Sequence, residues 1–214
     1  MQMSQGNMTQ WIKRFRGVEQ RFTQRIAVHW PECRKALSSS SEEDDITNNL
    51  VHRLCKDPVV RRIGWPEAQF VPFEPIADTE AVEGKGYIDI AVIIDQDRDV
   101  YLAYECKRLN VIHKGKRSSL ATVYVTEGLN RYITQQYSRF LPMACMLGYV
   151  MDGQELYAKK KVEASIAANS DKGTLKSGPI DIDDTVPCKR FQTTHVRKDG
   201  SDFDVKHTLL SFEL

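Results

Sequence analysis

Three charged residues lie inside otherwise apolar sequence. Asp89 falls within Gly86-Tyr87-Ile88-Asp89-Ile90-Ala91-Val92-Ile93-Ile94, and Glu105 and Lys107 within Val100-Tyr101-Leu102-Ala103-Tyr104-Glu105-Cys106-Lys107. Burying an ionised group without a partner is costly, so charges kept in such surroundings pair with one another or hold a metal. Both runs read as strands, joined by the turn-prone Asp95-Gln96-Asp97-Arg98-Asp99. Side chains alternate along a strand, which puts Glu105 and Lys107 on one face and Cys106 on the other. An antiparallel hairpin would set Asp89 beside Glu105 at its open end, so that two carboxylates and an ammonium converge. Carboxylate oxygens suit Mg²⁺ or Mn²⁺, and the lysine could orient or deprotonate a water or neutralise charge building up on phosphorus. The constellation fits phosphodiester hydrolysis.

The spacing Asp89-x15-Glu105-x-Lys107 on a strand pair resembles the PD-(D/E)XK, or restriction-endonuclease-like, nuclease superfamily, with Ile88 where the name-giving proline would stand. The resemblance implies a core of helix, three strands, helix and strand over residues 40–170. It makes Asp89 and Glu105 ligands of Mg²⁺ or Mn²⁺, and Lys107 the group that assists the attacking water. An acidic residue near the start of the first core helix would complete the metal site, and Glu43 shares an inward face with Ile46 and Leu50; that Glu42 to Asp45 only cap and solvate the helix start is an equal alternative. The helix after the E-x-K strand can lend a polar residue. Q-x-x-x-Y is absent there, since Gln135 meets Arg139 and Gln136 meets Phe140, which leaves Arg131 as the candidate. The substrate implied is nucleic acid, DNA ahead of RNA, cut endonucleolytically in restriction, phage defence or repair. A homodimer or partner subunit would suit cleavage of both strands.

The competing account is a non-catalytic module that binds nucleic acid or protein and uses Glu105 and Lys107 as a structural ion pair. Other hydrolases fit worse: His113 is loosely placed for an HNH nuclease, and neither G-x-S-x-G nor a Walker motif occurs.

The elements that must position these residues follow from periodicity. Trp11, Phe15, Val18, Phe22 and Ile26 recur at helical spacing between Thr9 and Leu37, giving an amphipathic helix that ends near Trp30-Pro31. Residues 12–35 hold seven Lys or Arg against two Glu. A solvated face on a packing helix accounts for them better than a DNA-contacting arm. Ser38 to Ser41 followed by Glu42-Glu43-Asp44-Asp45 signals a helix start, capped by serine. Ala68 to Val71 reads as a short edge strand among prolines. Beyond Lys107 the chain reads as helix Thr122–Phe140, strand Met143–Met151, helix Glu155–Asn169, surface loop 171–187, and a hairpin of Phe191–Val196 with Phe203–Phe212 about Asp199-Gly200. The fold class expected is α/β. A restriction-endonuclease-like core with a central mixed sheet of about four to six strands carries flanking helices, an N-terminal amphipathic helix and a C-terminal β-hairpin. The division is a helical arm at 1–37 and a nuclease-like domain at 38–214.

A formal charge of +1 on 214 residues points to no polyanionic partner by itself, so a nucleic-acid site must come from local clustering. One cluster follows Lys107 directly, with Lys114, Lys116 and Arg117 in a stretch without acids, placed to hold a phosphate backbone. The alternative is an exposed loop whose charge matters little, and the position directly after the proposed catalytic pair favours the phosphate-binding account. Five scattered cysteines without C-x-x-C read as reduced thiols. With no membrane-length apolar run and no signal-peptide core near Met1, the expected setting is cytoplasmic.

Overall fold

The computed structural model describes residues 8–169, 174–183 and 185–212. Residues 1–7 of the expected arm, and 170–173 and 184 in and beside the expected loop, lie outside the described residues. In chain order the elements are α1 (Met8–Lys35), α2 (Glu43–Lys56), α3 (Val60–Ile63), β1 (Trp65–Phe70), β2 (Phe73–Pro75), β3 (Val82–Gly84), β4 (Ile88–Ile93), β5 (Tyr101–Leu109), β6 (Val111–His113) and β7 (Lys116–Ser118). A broken helix then runs through α4 (Ala121–Tyr124), a π-helical turn (Val125–Leu129) and α5 (Asn130–Ile133), followed by β8 (Met143–Val150), α6 (Glu155–Asn169), β9 (Leu175–Asp181), β10 (Lys189–Val196) and β11 (Asp202–Ser211).

A seven-stranded mixed sheet in the order β1-β4-β5-β8-β11-β10-β9 organises the described residues. The first two pairings are antiparallel, β5 and β11 flank β8 in parallel, and the C-terminal strands are antiparallel again. All eight residues of β8 are buried, as a continuous apolar run at the centre of a sheet requires. Pro66 sits in β1, an edge strand where a missing N–H costs no ladder bond.

The sheet is wider than the four to six strands expected. The sequence 171–187, rich in Gly, Ser, Asp and Pro, reads as loop, yet residues 175–181 form β9. An edge strand pairs on one side only and tolerates such residues, and its register against β10 is correspondingly irregular between Gln192 and His195.

Residues 8–35, expected as an arm, pack along the sheet as α1. Phe15, Val18, Phe22, Ile26, Trp30 and Cys33 form its buried stripe. Phe22 meets Tyr104 at 5.4 Å between ring centroids, and Trp30 stacks on Tyr149 at 5.7 Å. The helix continues through Pro31 to Lys35 instead of ending there. Proline forfeits one helical bond, but burial of Trp30 and Cys33 holds the last turn down, and the Trp30 indole N–H donates to the Ser211 carbonyl at 2.7 Å. Several cations of α1 face the protein's own acids: Arg25 reaches Asp57 at 2.6 Å, while Arg14 and Arg16 reach Asp95 and Asp204 at 3.0 Å each. This is the packing helix, with its basic side partly neutralised from within.

The single helix expected over 122–140 is broken. Gly128 weakens its middle, and the Thr126 and Thr134 hydroxyls bond back to the carbonyls of Thr122 and Asn130 at 3.0 and 2.8 Å. Beyond Ile133, Gln135 and Ser138 take positive φ of 63° and 55°, which no helix continues through. Serines 38–41 likewise form a turn of their own, with the Ser38 N–H on Ser41 Oγ, and the cap position of α2 is Glu42 with no side-chain cap bond.

The β1–β4 pairing carries the strand that holds Asp89, and Gly64 permits it. A Cβ at Gly64 would stand 2.6 Å from the Ile93 carbonyl oxygen. Backbone cannot yield as a flexible side chain does, so Gly64→Ala is expected to lower stability by about 1–3 kcal/mol, read as a lower urea midpoint with an unchanged slope.

Candidate active site

The register of β4 on β5 pairs Ile90 with Tyr104 and Ala91 with Ala103. One step further sets Asp89 level with Glu105. There the ladder ends in a side chain, because Asp89 Oδ2 accepts the Cys106 N–H at 2.6 Å. Alternation divides β5 between two environments. The Tyr104 hydroxyl faces α1 and lies 3.2 Å from Thr23 Oγ1. Glu105 and Lys107 face the π-helical turn, so closely that a Cβ on Gly128 would lie 3.5 and 3.6 Å from their Cγ atoms. π-Helical turns recur at functional sites, and this one lays the helix directly over the charged pair.

Lys107 is the hub. Its Nζ lies 2.8 Å from Glu43 Oε1, 3.3 Å from Glu105 Oε1 and 3.7 Å from Asp89 Oδ2, and donates to the Cys106 carbonyl at 2.7 Å. From α5, Arg131 Nη1 donates to Glu105 Oε1 at 2.6 Å. Glu43 is fixed from its other oxygen, which accepts the Arg108 N–H at 2.9 Å, and the Arg108 guanidinium pairs with Glu42 at 2.5 Å. The acids at the start of α2 are therefore spent on β5 as well as on the helix end.

Burial and neighbouring charge pull these groups in opposite directions. Burial pushes the Glu105 carboxyl up to about 8; the Asp89 charge adds to that, and Lys107 and Arg131 oppose it. Burial also raises Asp89, against the opposing pull of Lys107 and the Cys106 N–H. For Lys107 burial favours loss of the proton, but Asp89, Glu105 and Glu43 outweigh it and the pKa rises. Glu105 Oε2 is buried with no hydrogen-bond partner.

The expected residues Glu43, Asp89, Glu105 and Lys107 thus come together, and Arg131 joins them. Lys114, Lys116 and Arg117 do not. Their stretch is the β6–β7 hairpin, none of the three lines the groove over the cluster, and Arg117 is held by Asp152 at 2.6 Å with its guanidinium 4.8 Å over Tyr157. The groove, about 660 Å³, is lined instead by residues that include Gln69, Tyr87, Gln136 and Tyr137, which sequence reasoning did not single out for the site. For Tyr87 a signal existed: a large ring two residues before Asp89, just ahead of the strand that carries it.

Among the described residues no group of three or more His, Cys, Asp or Glu is disposed as a ready metal cage. The residues nonetheless fit Mg²⁺ or Mn²⁺, which keep waters and take one or two carboxylates. Asp89, Glu105 and Glu43 offer hard oxygens, Glu105 Oε2 is orphaned, and Glu43, Asp44, Asp89 and Glu127 outnumber Lys107 and Arg131 among the charged groove-lining residues. Compared with protein-family models, with curated proteins and with solved structures, the chain finds no match.

A raised carboxyl pKa has a definite sign in stability. Folded protein binds the Glu105 proton more tightly than the unfolded chain, so this contribution is full below the ordinary glutamate value and is lost as pH rises through about 8. In EDTA, stability is expected to fall across that window, and Glu105→Gln should flatten the slope. Urea midpoints between pH 5 and 9, roughly, check this; equal slopes in both proteins would contradict it.

Proposed function

We propose that this protein is a metal-dependent endonuclease that hydrolyses phosphodiester bonds, most naturally in DNA, on a restriction-endonuclease-like core. One observation carries the reading: three carboxyl groups from α2, β4 and β5 lie within 3.7 Å of the Lys107 ammonium, and Lys107, Glu43 and Asp89 line an open groove while Glu105 is buried beneath it. The element order supports it, with α2 before antiparallel β1, β4 and β5, a helical segment next, and β8 parallel to β5. Restriction, phage defence and repair are the settings such an enzyme fits.

Asp89 and Glu105, joined by Glu43, would hold Mg²⁺ or Mn²⁺. The ion would supply positive charge against the charge that develops on the phosphate. Lys107, its pKa raised, keeps its proton. Its part is then to orient the attacking water and offset charge on phosphorus, not to act as base. Arg131 holds the same Glu105 oxygen that Lys107 approaches and offers the groove a second cation.

A non-catalytic module remains the second reading, because Lys107 and Arg131 already pair with the acids as structural partners would. Metal separates the two. In the nuclease, Asp89→Ala and Glu105→Ala abolish Mg²⁺-dependent nicking of plasmid and weaken Mn²⁺ binding by calorimetry, and Glu43→Gln weakens it less than Asp89→Ala. Lys107→Ala lowers single-turnover cleavage by about 100-fold or more with little change in DNA affinity. Undiminished Mn²⁺ affinity in both Asp89→Ala and Glu105→Ala would defeat the reading.

A further inference from the structure

A second cavity, of about 470 Å³, adjoins the groove, and Gln136 lines both. The Gln136 amide is held in place by donating to the Lys85 carbonyl at 3.1 Å. Two rings on this cavity stand in solvent: Phe73 is 52% exposed and Phe140 68%. A third, Tyr87, is 62% exposed and lines the groove itself, two residues from Asp89. Large exposed rings gathered at one place mark a binding surface, since each gains by being covered.

The charge of the cavity says what covers them. Its ionisable lining includes Glu74, Asp97 and Asp99 against Arg139, which itself lies 3.5 Å from Glu74. Such a wall repels phosphate and accepts N–H donors. The fitting occupant is flat, uncharged, apolar on its faces and donor-bearing on its edge, as adenine, cytosine and guanine are. In a duplex those faces are stacked and those donors are spent on the opposite strand, so only an unpaired base could enter. The segment bearing Gln136 and Phe140 is also set in advance, with Gln135 and Ser138 held at φ of 63° and 55°. Such conformations are costly and persist where surrounding structure fixes them, which clusters them at ligand sites.

We propose that the Phe73–Phe140 cavity takes an unpaired nucleobase of the DNA strand being cut, while Tyr87 stacks on a base nearer the scissile phosphate. The preferred substrate is therefore single-stranded, or unpaired beside the cut. The inference rests on the nuclease reading for the identity of the strand and deepens it to a substrate class.

Fluorescence anisotropy in Ca²⁺ tests it, with a labelled single-stranded oligodeoxynucleotide of about 12 nucleotides and a hairpin duplex of the same sequence. The wild type should bind the single strand at least about tenfold more tightly. Tyr87→Ala and Phe140→Ala should each lose roughly tenfold on the single strand, as one lost base–aromatic stack gives, and nothing on the duplex, while Phe140→Trp retains binding. Both positions are exposed, so equal thermal midpoints across the set exclude misfolding. Equal affinities for the two oligonucleotides, alanine variants that bind the single strand as the wild type does, or a concentration-dependent dimer that Phe140→Ala dissolves would each overturn the inference. A protein that binds Mn²⁺ and cuts DNA but ignores strandedness keeps the nuclease reading and loses this one; a protein that binds no Mn²⁺ and cuts neither single-stranded nor plasmid DNA loses both.

Discussion

The structure turns on one ammonium. Lys107 sits on a buried strand among Glu43, Glu105 and Asp89, and each of those acids belongs to a different place along the chain or to a different element. Three carboxylates so close would repel one another in a setting that already penalises their charge, and the lysine is what lets them gather. The converse also holds, since a lysine this buried keeps its proton only because the acids surround it. Such a cluster is a poor way to gain stability, because apolar residues of similar volume would do as well or better. Under the proposed reading, that cost serves the chemistry of the groove.

Much of the architecture serves to hold that cluster from two sides. The start of α2 reaches Lys107 and the β5 backbone through Glu43, and the π-helical turn presses on the opposite approach through Gly128 and delivers Arg131 to Glu105. The other face of β5 is closed by α1, where Tyr104 and Tyr149 meet Phe22 and Trp30. The C-terminal strands contribute a different polar array, in which Tyr124, His207, Thr193 and His195 form a buried chain of contacts at 2.9 Å. Burial lowers both histidines, His195 to about 4, so they hold no charge near neutrality and act as core donors and acceptors. The charged cluster and the neutral chain are thus both buried but electrostatically unlike.

What the sequence revealed, and what it hid, follows the range of the forces involved. Asp89, Glu105 and Lys107 were legible because strand alternation and a short turn are local, and Glu43 because its helical face is local too. The seven-stranded α/β sheet was legible only in part. The parallel placement of β11 beside β8 depends on a pairing across more than fifty residues, and β9 hides in loop-like composition because an edge strand accepts residues that a central one would reject. The broken helix at 121–133 was misread since the apolar spacing of Leu129, Ile133 and Tyr137 is helical while Gly128 and the threonines act on the backbone beneath it. For Arg117 the charge is visible in sequence, and its partner Asp152, thirty-five residues on, is not.

The groove carries a further constraint. Its charged lining is acidic on balance, and the basic β6–β7 hairpin is not part of that lining. A nucleic-acid strand cannot lie there on the protein's own charge alone; under the proposed reading its phosphates depend on a divalent ion for their welcome, with Lys107 and Arg131 as the nearest protein cations. The adjoining cavity is acid-lined as well, and adding metal to the groove does not make it a phosphate site. Under that reading backbone and base would be sorted by electrostatics before any hydrogen bond is made: a divalent ion held by the carboxylates would draw the phosphate, and the acid-lined cavity would admit only the uncharged base, toward Phe73 and Phe140. A double helix resists that sorting, because its bases are already committed to one another.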